Sequence, residues 1–188
     1  VTSRWLRHGT GSGRVKSRSP QRAVGLAILI AGLLLIVSVF LEWGRIAIGA
    51  GSNSLAHASV SGAGTVSITM PQDDPEFERY AAKSLEQVVS HSGVWVAIIG
   101  VLIIAAGAAY LWLPPREEAA IAVAVLAIIG SVLCLASALD ERRIFGDAFD
   151  VAAAHYSLGY GLALACAMTM VLIALGVAGF TLERPAAR

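Results

Sequence analysis

Four stretches of this chain, residues 23–41, 94–113, 119–139 and 158–180, are built almost entirely from Ala, Val, Leu, Ile and Gly. Each is about 20 residues long, and at about 1.5 Å per helical residue that length crosses the roughly 30 Å hydrocarbon layer of a bilayer. They predict four transmembrane helices. Basic residues precede the first run, as they would in a secretory signal. Its apolar length exceeds an h-region and no small-x-small cleavage site directly follows it, which makes it a retained helix.

The segment between the first and second runs has a different pattern. Gly49 to Gly64 is rich in Gly, Ser, Ala and Asn and reads as an irregular loop. Thr65 to Met70 alternates hydroxyl and apolar side chains, the period of a strand. A lone strand leaves its backbone unpaired, so a second is expected, either Ala58 to Ser61 in a hairpin across Gly62-Ala63-Gly64 or a strand added by another chain. Asp73-Asp74-Pro75-Glu76 then supplies an N-cap, a first-turn proline and an acid at a helix start. An amphipathic helix over Asp74 to Ser90 follows, with Phe77, Tyr80 and Leu85 expected to be covered by protein or lipid.

The exits of the first and third runs align. Leu41-Glu42-Trp43-Gly44-Arg45-Ile46 matches Leu139-Asp140-Glu141-Arg142-Arg143-Ile144 at leucine, acid, arginine and isoleucine. An acid and an arginine three apart share a helix face, which predicts structural ion pairs Glu42 with Arg45 and Asp140 with Arg143 on helices that extend past the hydrocarbon. Arg142 has no counterpart, because Gly44 stands in its place. It either contacts a lipid phosphate or a neighbour's carboxylate, or is solvated and neutralised by Glu141 or Asp147. The expected fold is an all-α membrane protein with four transmembrane helices as two tandem helical hairpins. Its small extracytoplasmic loop holds a short β-hairpin and the amphipathic helix.

Composition supports the membrane reading: 56% of residues are hydrophobic and 14% charged, with mean hydropathy +0.71, against about 45–50% apolar in soluble domains. The net charge of +1 and the scattered basic residues argue against nucleic-acid binding. Arginine predominates over lysine, found only at Lys16 and Lys83, and the chain opens on Val1 as a translated GTG start would; both point to a high-GC bacterial gene. Arg4, Arg7, Arg14, Lys16, Arg18 and Arg22 lie ahead of the first helix with no acid among them, and the positive-inside rule places them in the cytoplasm. The expected plan is a basic cytoplasmic segment 1–22, a four-helix domain 23–181 with outer loops 42–93 and 140–157, and a cytoplasmic tail 182–188. The setting is the bacterial inner (plasma) membrane.

Candidate chemistry is sparse. Cys134 and Cys166 lie within apolar runs without a C-x-x-C and read as packed thiols. His57, His91 and His155 face outward but form no ligand motif, and neither a G-x-S-x-G elbow nor a Walker A sequence occurs. The runs contain no Asp, Glu, Lys, Arg or His and no proline, unlike ion-coupled transporters with midplane sites. They do carry small residues four apart. Gly159 with Ala163 and Gly161 with Ala165 form two adjacent rows on the fourth helix, one expected to pack internally and the other against a partner or lipid.

The four-span plan, Trp43 after the first helix, the Ser/Gly-rich outer loop, the HYSLGYG stretch leading into the fourth helix and the basic SRSPQR segment resemble small actinobacterial membrane proteins. In particular the chain is similar to the LucB family of accessory subunits of the mycobacterial Mce lipid-import complex. A second similar group is the four-span protein encoded beside tryptophan-biosynthesis genes. The first resemblance implies a non-enzymatic accessory or stabilising subunit of a lipid (fatty acid) importer. Its partners would be a larger multi-subunit membrane transporter and membrane lipids, with no cofactor, catalytic residue or metal. The alternative is a small self-oligomerising transporter or lipid-handling protein.

Overall fold

The computed structural model describes residues 19–50, 53–69, 75–86, 92–140 and 154–183. In chain order the elements are α1 (Ser19–Phe40), β1 (Glu42–Ala50), β2 (Asn53–Ser61), β3 (Val66–Thr69), α2 (Pro75–Glu86), α3 (Ser92–Trp112), α4 (Arg116–Leu139), β4 (Ala154–Leu158) and α5 (Tyr160–Glu183). The chain is mostly helical. Helices α1, α3, α4 and α5 are long and apolar enough to cross a membrane.

These four helices close a ring in which α1 packs on α3 and α5, and α4 packs on the same two. Ile28, Leu35, Val96, Ile103, Val123 and Leu172 fill its interior. The outward faces are equally apolar, with Leu26, Ile30, Leu33, Val101 and Val132 exposed. A helix that is apolar on every side has no stripe to distinguish core from surface. Packing depends on small residues where helices cross. A Cβ on Gly100 would stand 3.4 Å from the Gly32 carbonyl oxygen, and one on Gly176 would stand 2.9 Å from the Ala124 backbone nitrogen.

At one end of the ring lies an antiparallel sheet of order β3-β2-β1-β4. It enlarges the short hairpin expected in the outer segment of a mostly helical chain to four strands. The Gly/Ser/Ala-rich stretch expected to be an irregular loop is instead the end of β1 and all of β2, paired from Glu42↔Ser61 to Ala50↔Asn53. The β2–β3 hairpin pairs Val60 with Val66 across Gly62 to Thr65. β4 comes from the second outer segment, where a helix start was expected at residue 158, and pairs Arg45 with Ser157. Small side chains have weak strand preference of their own; the partner on each side of β1 supplies the stabilisation.

The helix exits are corrected too. After α1 the chain turns at Leu41 and enters β1, so Glu42 and Arg45 lie on a strand, not on a helix extension. α4 stops at Leu139, and Asp140 is extended, its N–H donating to the Ala136 carbonyl at 3.1 Å. Arg143, the partner expected for Asp140, lies outside the described residues.

Trp43 fastens the sheet to the bundle. Its side chain is 1% exposed, and its indole N–H donates to the Ser38 carbonyl in the last turn of α1 at 2.9 Å. The Trp43 carbonyl accepts the Gly159 N–H at 2.8 Å, and the Ala63 N–H reaches the Val39 carbonyl at 3.0 Å. Trp43, Ile46, Ala58, Val60 and Val66 thus continue the helical core into the sheet.

Candidate interaction surface on the sheet

Strand alternation divides the sheet into two chemical faces. Ile46, Ala58, Val60 and Val66 turn toward the bundle and are buried. On the other face, register aligns Ser157, Arg45, Ser59 and Ser67 in one row across all four strands. A second row sets Ala47 beside His57 and His57 beside Thr69. These residues, with Glu42, line an open hollow of about 480 Å³.

The hollow contains one ion pair. Arg45 donates from Nε to Glu42 Oε1 and from Nη2 to Glu42 Oε2 at 2.7 Å. The Glu42 side chain is 12% exposed and that of Arg45 61%, so the carboxylate is tucked beneath a guanidinium that faces outward. Hydrogen bonding to Glu42, reinforced by its charge, raises the Arg45 pKa above its already high ordinary value. Arg45 is a permanent cation whose charge is offset locally. Surrounded by four hydroxyls and an imidazole, it presents hydrogen-bond donors and acceptors with little net field. Such a face suits polar recognition of another surface.

The other expected contact residues are distributed differently. Gly159, Gly161 and Ala165 are buried within the chain's own fold. A Cβ on Gly161 would lie 2.8 Å from the Glu42 carbonyl oxygen and 2.9 Å from that of Ser38, so this glycine meets the end of α1, not a partner. Of the four small residues, Ala163 is exposed. Tyr80, on α2, is 76% exposed, so its own chain supplies little of the cover expected for it. Arg142 and Arg143 lie outside the described residues, as do the side chains of Phe77 and Leu85. Cys134 and Cys166, distant in sequence, are free thiols that meet where α4 packs on α5.

Sequence reasoning missed the polar face because Ser59, offered as part of a short hairpin strand, and Ser157, placed in an outer loop, come together only when β1 sets them on either side of Arg45. The available signal was alternation in Arg45-Ile46-Ala47-Ile48. No protein-family model matches the chain, and no curated protein matches it.

Proposed function

We propose that the chain is a four-span protein of the bacterial plasma membrane that serves as a non-enzymatic accessory subunit of a larger membrane complex. Both termini are cytoplasmic, following the acid-free basic segment before α1, and the sheet lies outside. The two helical hairpins form the membrane anchor. The sheet is the docking surface. The observation that carries this reading is its construction: strands from both outer segments are joined on the bundle with an ordered polar face turned away from it. The helices, in contrast, meet through glycine and alanine, and no Asp, Glu, Lys, Arg or His is among the buried residues of the ring's interior in the described residues.

The resemblance in size, plan and flanking segments supports a Mce-type lipid (fatty acid) importer as the complex. A second reading, a self-oligomerising transporter or lipid-handling protein, draws support from the outward-facing Ala163 and Ala167 on α5, a small-residue row open to another copy. Purification from the native host in mild detergent separates the two. Large transporter subunits should co-purify and be lost with Ser59→Arg, which crowds the polar face without touching the bundle. A homogeneous self-oligomer, insensitive to Ser59→Arg and dissociated by Ala163→Leu, would replace the first reading with the second.

A further inference from the structure

Small residues set the register in which α4 packs on α5. A Cβ on Gly179 would stand 3.3 Å from Ala120 Cβ, one on Gly176 would stand 2.9 Å from the Ala124 nitrogen, and one on Gly130 would stand 3.2 Å from Thr169 Cγ2. The helices are antiparallel, and each step toward the sheet along α4 is matched by a step back along α5. The next turn of α4 after Gly130 carries Cys134, and the turn of α5 before Thr169 carries Ala165 and Cys166. Register therefore places the two cysteines face to face, and one thiol donates a hydrogen bond to the other.

Both cysteines of the chain are thus brought together, and they differ in access. Cys134 is fully buried, whereas Cys166 is half-buried at the edge of the seam between the two helices. Ala163 and Met170, one turn to either side of Cys166 on α5, are exposed, so the way to its sulfur crosses an apolar helix surface. Cys166 lies six residues into α5, about 9 Å along the helix from the sheet end, which is within the hydrocarbon of a four-span protein. A thiol with a second thiol in reach differs chemically from an isolated packed one, because an oxidised sulfur already has a partner to resolve it. A disulfide needs facing Cα atoms roughly 4.4–6.8 Å apart, and helices that meet through glycine and alanine let backbones approach that closely.

We propose that Cys134 and Cys166 are a dithiol that an apolar organic hydroperoxide, arriving through the lipid, oxidises to a disulfide joining α4 to α5. Cys166, the accessible thiol, reacts first. Its sulfur attacks the terminal peroxide oxygen, the O–O bond breaks, and the departing alkoxide takes the thiol proton and leaves as an alcohol. Cys166 is then a sulfenic acid. The Cys134 sulfur attacks Cys166 Sγ, the S–O bond breaks, and hydroxide leaves as water with the Cys134 proton. The two sulfurs give up two electrons, and the peroxide is reduced to alcohol and water. The product fastens α4 to α5, a helix already tied to α1 where Gly159 bonds to Trp43. A dithiol reductant reverses it by exchange. The proposal rests on the membrane-spanning reading but not on the identity of any partner complex.

The test uses the full chain in lipid nanodiscs, with cumene hydroperoxide or hydrogen peroxide added at equal concentration. Free thiols are counted by intact mass after maleimide labelling in denaturant, and the cross-link is located by mass spectrometry of proteolytic fragments. Cumene hydroperoxide should leave no free thiol and yield one link between Cys134 and Cys166 of the same chain, which dithiothreitol returns to two thiols. It should act about tenfold or more faster than hydrogen peroxide, because its hydrocarbon part partitions into the bilayer. The oxidised protein should unfold at a higher temperature than the reduced one. Cys134→Ala should stop at a dimedone-reactive Cys166, and Cys166→Ala should leave Cys134 a free thiol; the parent's own cross-link decides the matter if either variant fails to fold. Sulfinic or sulfonic acid at Cys166 with Cys134 still free in the parent would overturn the proposal. So would links between copies, a cross-link that forms only in denaturant, or equal rates with the two peroxides. Failure of the membrane-spanning reading would appear separately, as labelling inconsistent with four spans in intact cells.

Discussion

Removing Trp43 should release the sheet before it disturbs the helices. Trp43→Ala deletes an indole that is 1% exposed and packed over Gly62, where a Cβ would stand 2.6 Å from the indole nitrogen. Truncating a buried Trp to Ala costs about 3–5 kcal/mol, a large part of the roughly 5–15 kcal/mol that holds a typical domain folded. Trp43→Phe separates the two contributions. It keeps most of the apolar contact and loses the N–H donated to Ser38, whose carbonyl still accepts Leu41 N–H at 3.2 Å. With no acceptor orphaned, that hydrogen bond should contribute about 1 kcal/mol. Hydrogen exchange by mass spectrometry in detergent reads both variants segment by segment. For Trp43→Ala, protection over residues 53–69 should fall by about two to three and a half orders of magnitude, at about 1.4 kcal/mol per factor of ten. Protection over residues 23–40 should change little, because the helical ring has its own core. Unchanged protection in β2 and β3, or equal losses for the Phe and Ala variants, would refute the fastening role.

Three further outcomes are expected. For the four-span topology, a cysteine at Ser12 should be protected from impermeant reagent in intact cells and one at Ser61 labelled; exposure of both or of neither would exclude it. Gly161→Leu places a side chain against Glu42 O, Leu41 and Ser38 O and should destabilise by about 1–3 kcal/mol or more in detergent melts. Ala163→Leu, outward-facing on the same helix, should stay within about 0.5 kcal/mol of the parent. Cys134, fully buried, should react with a maleimide only on denaturation, whereas half-buried Cys166 should react slowly in the folded protein; equal rates would contradict the packing of α4 on α5.

The four helices could be read from the chain because each is specified locally by a run of apolar residues long enough to count. The β2–β3 hairpin was also accessible, since Thr65 to Met70 alternates and a short glycine-containing link lets Val60 meet Val66. β1 and β4 were not. Their small residues carry little strand preference, and Arg45 meets Ser157 only after three helices and the second outer segment have intervened. Glu42 and Arg45 could be paired from their spacing, but the helix invoked to bring them together is a strand with a register irregularity between Glu42 and Gly44.

This fastening bears on how the molecule works. β4 leads directly into α5, and Gly159 at that junction donates its N–H to the Trp43 carbonyl just beyond α1. The link leaves no room for a side chain, since any Cβ on Gly159 would run into the Glu42 carbonyl. Transporters that rock one repeat against another need the two halves to separate alternately at each face. Here the first and fourth long helices are tied at the sheet end by backbone hydrogen bonding, an adjoining β1–β4 ladder and the Trp43 anchor. Opening that end would break all three together. The cost favours a bundle that moves as one body and presents its sheet in a fixed orientation. That property serves a docking subunit directly, and leaves the self-oligomerising alternative to build any pathway between copies instead of through the ring.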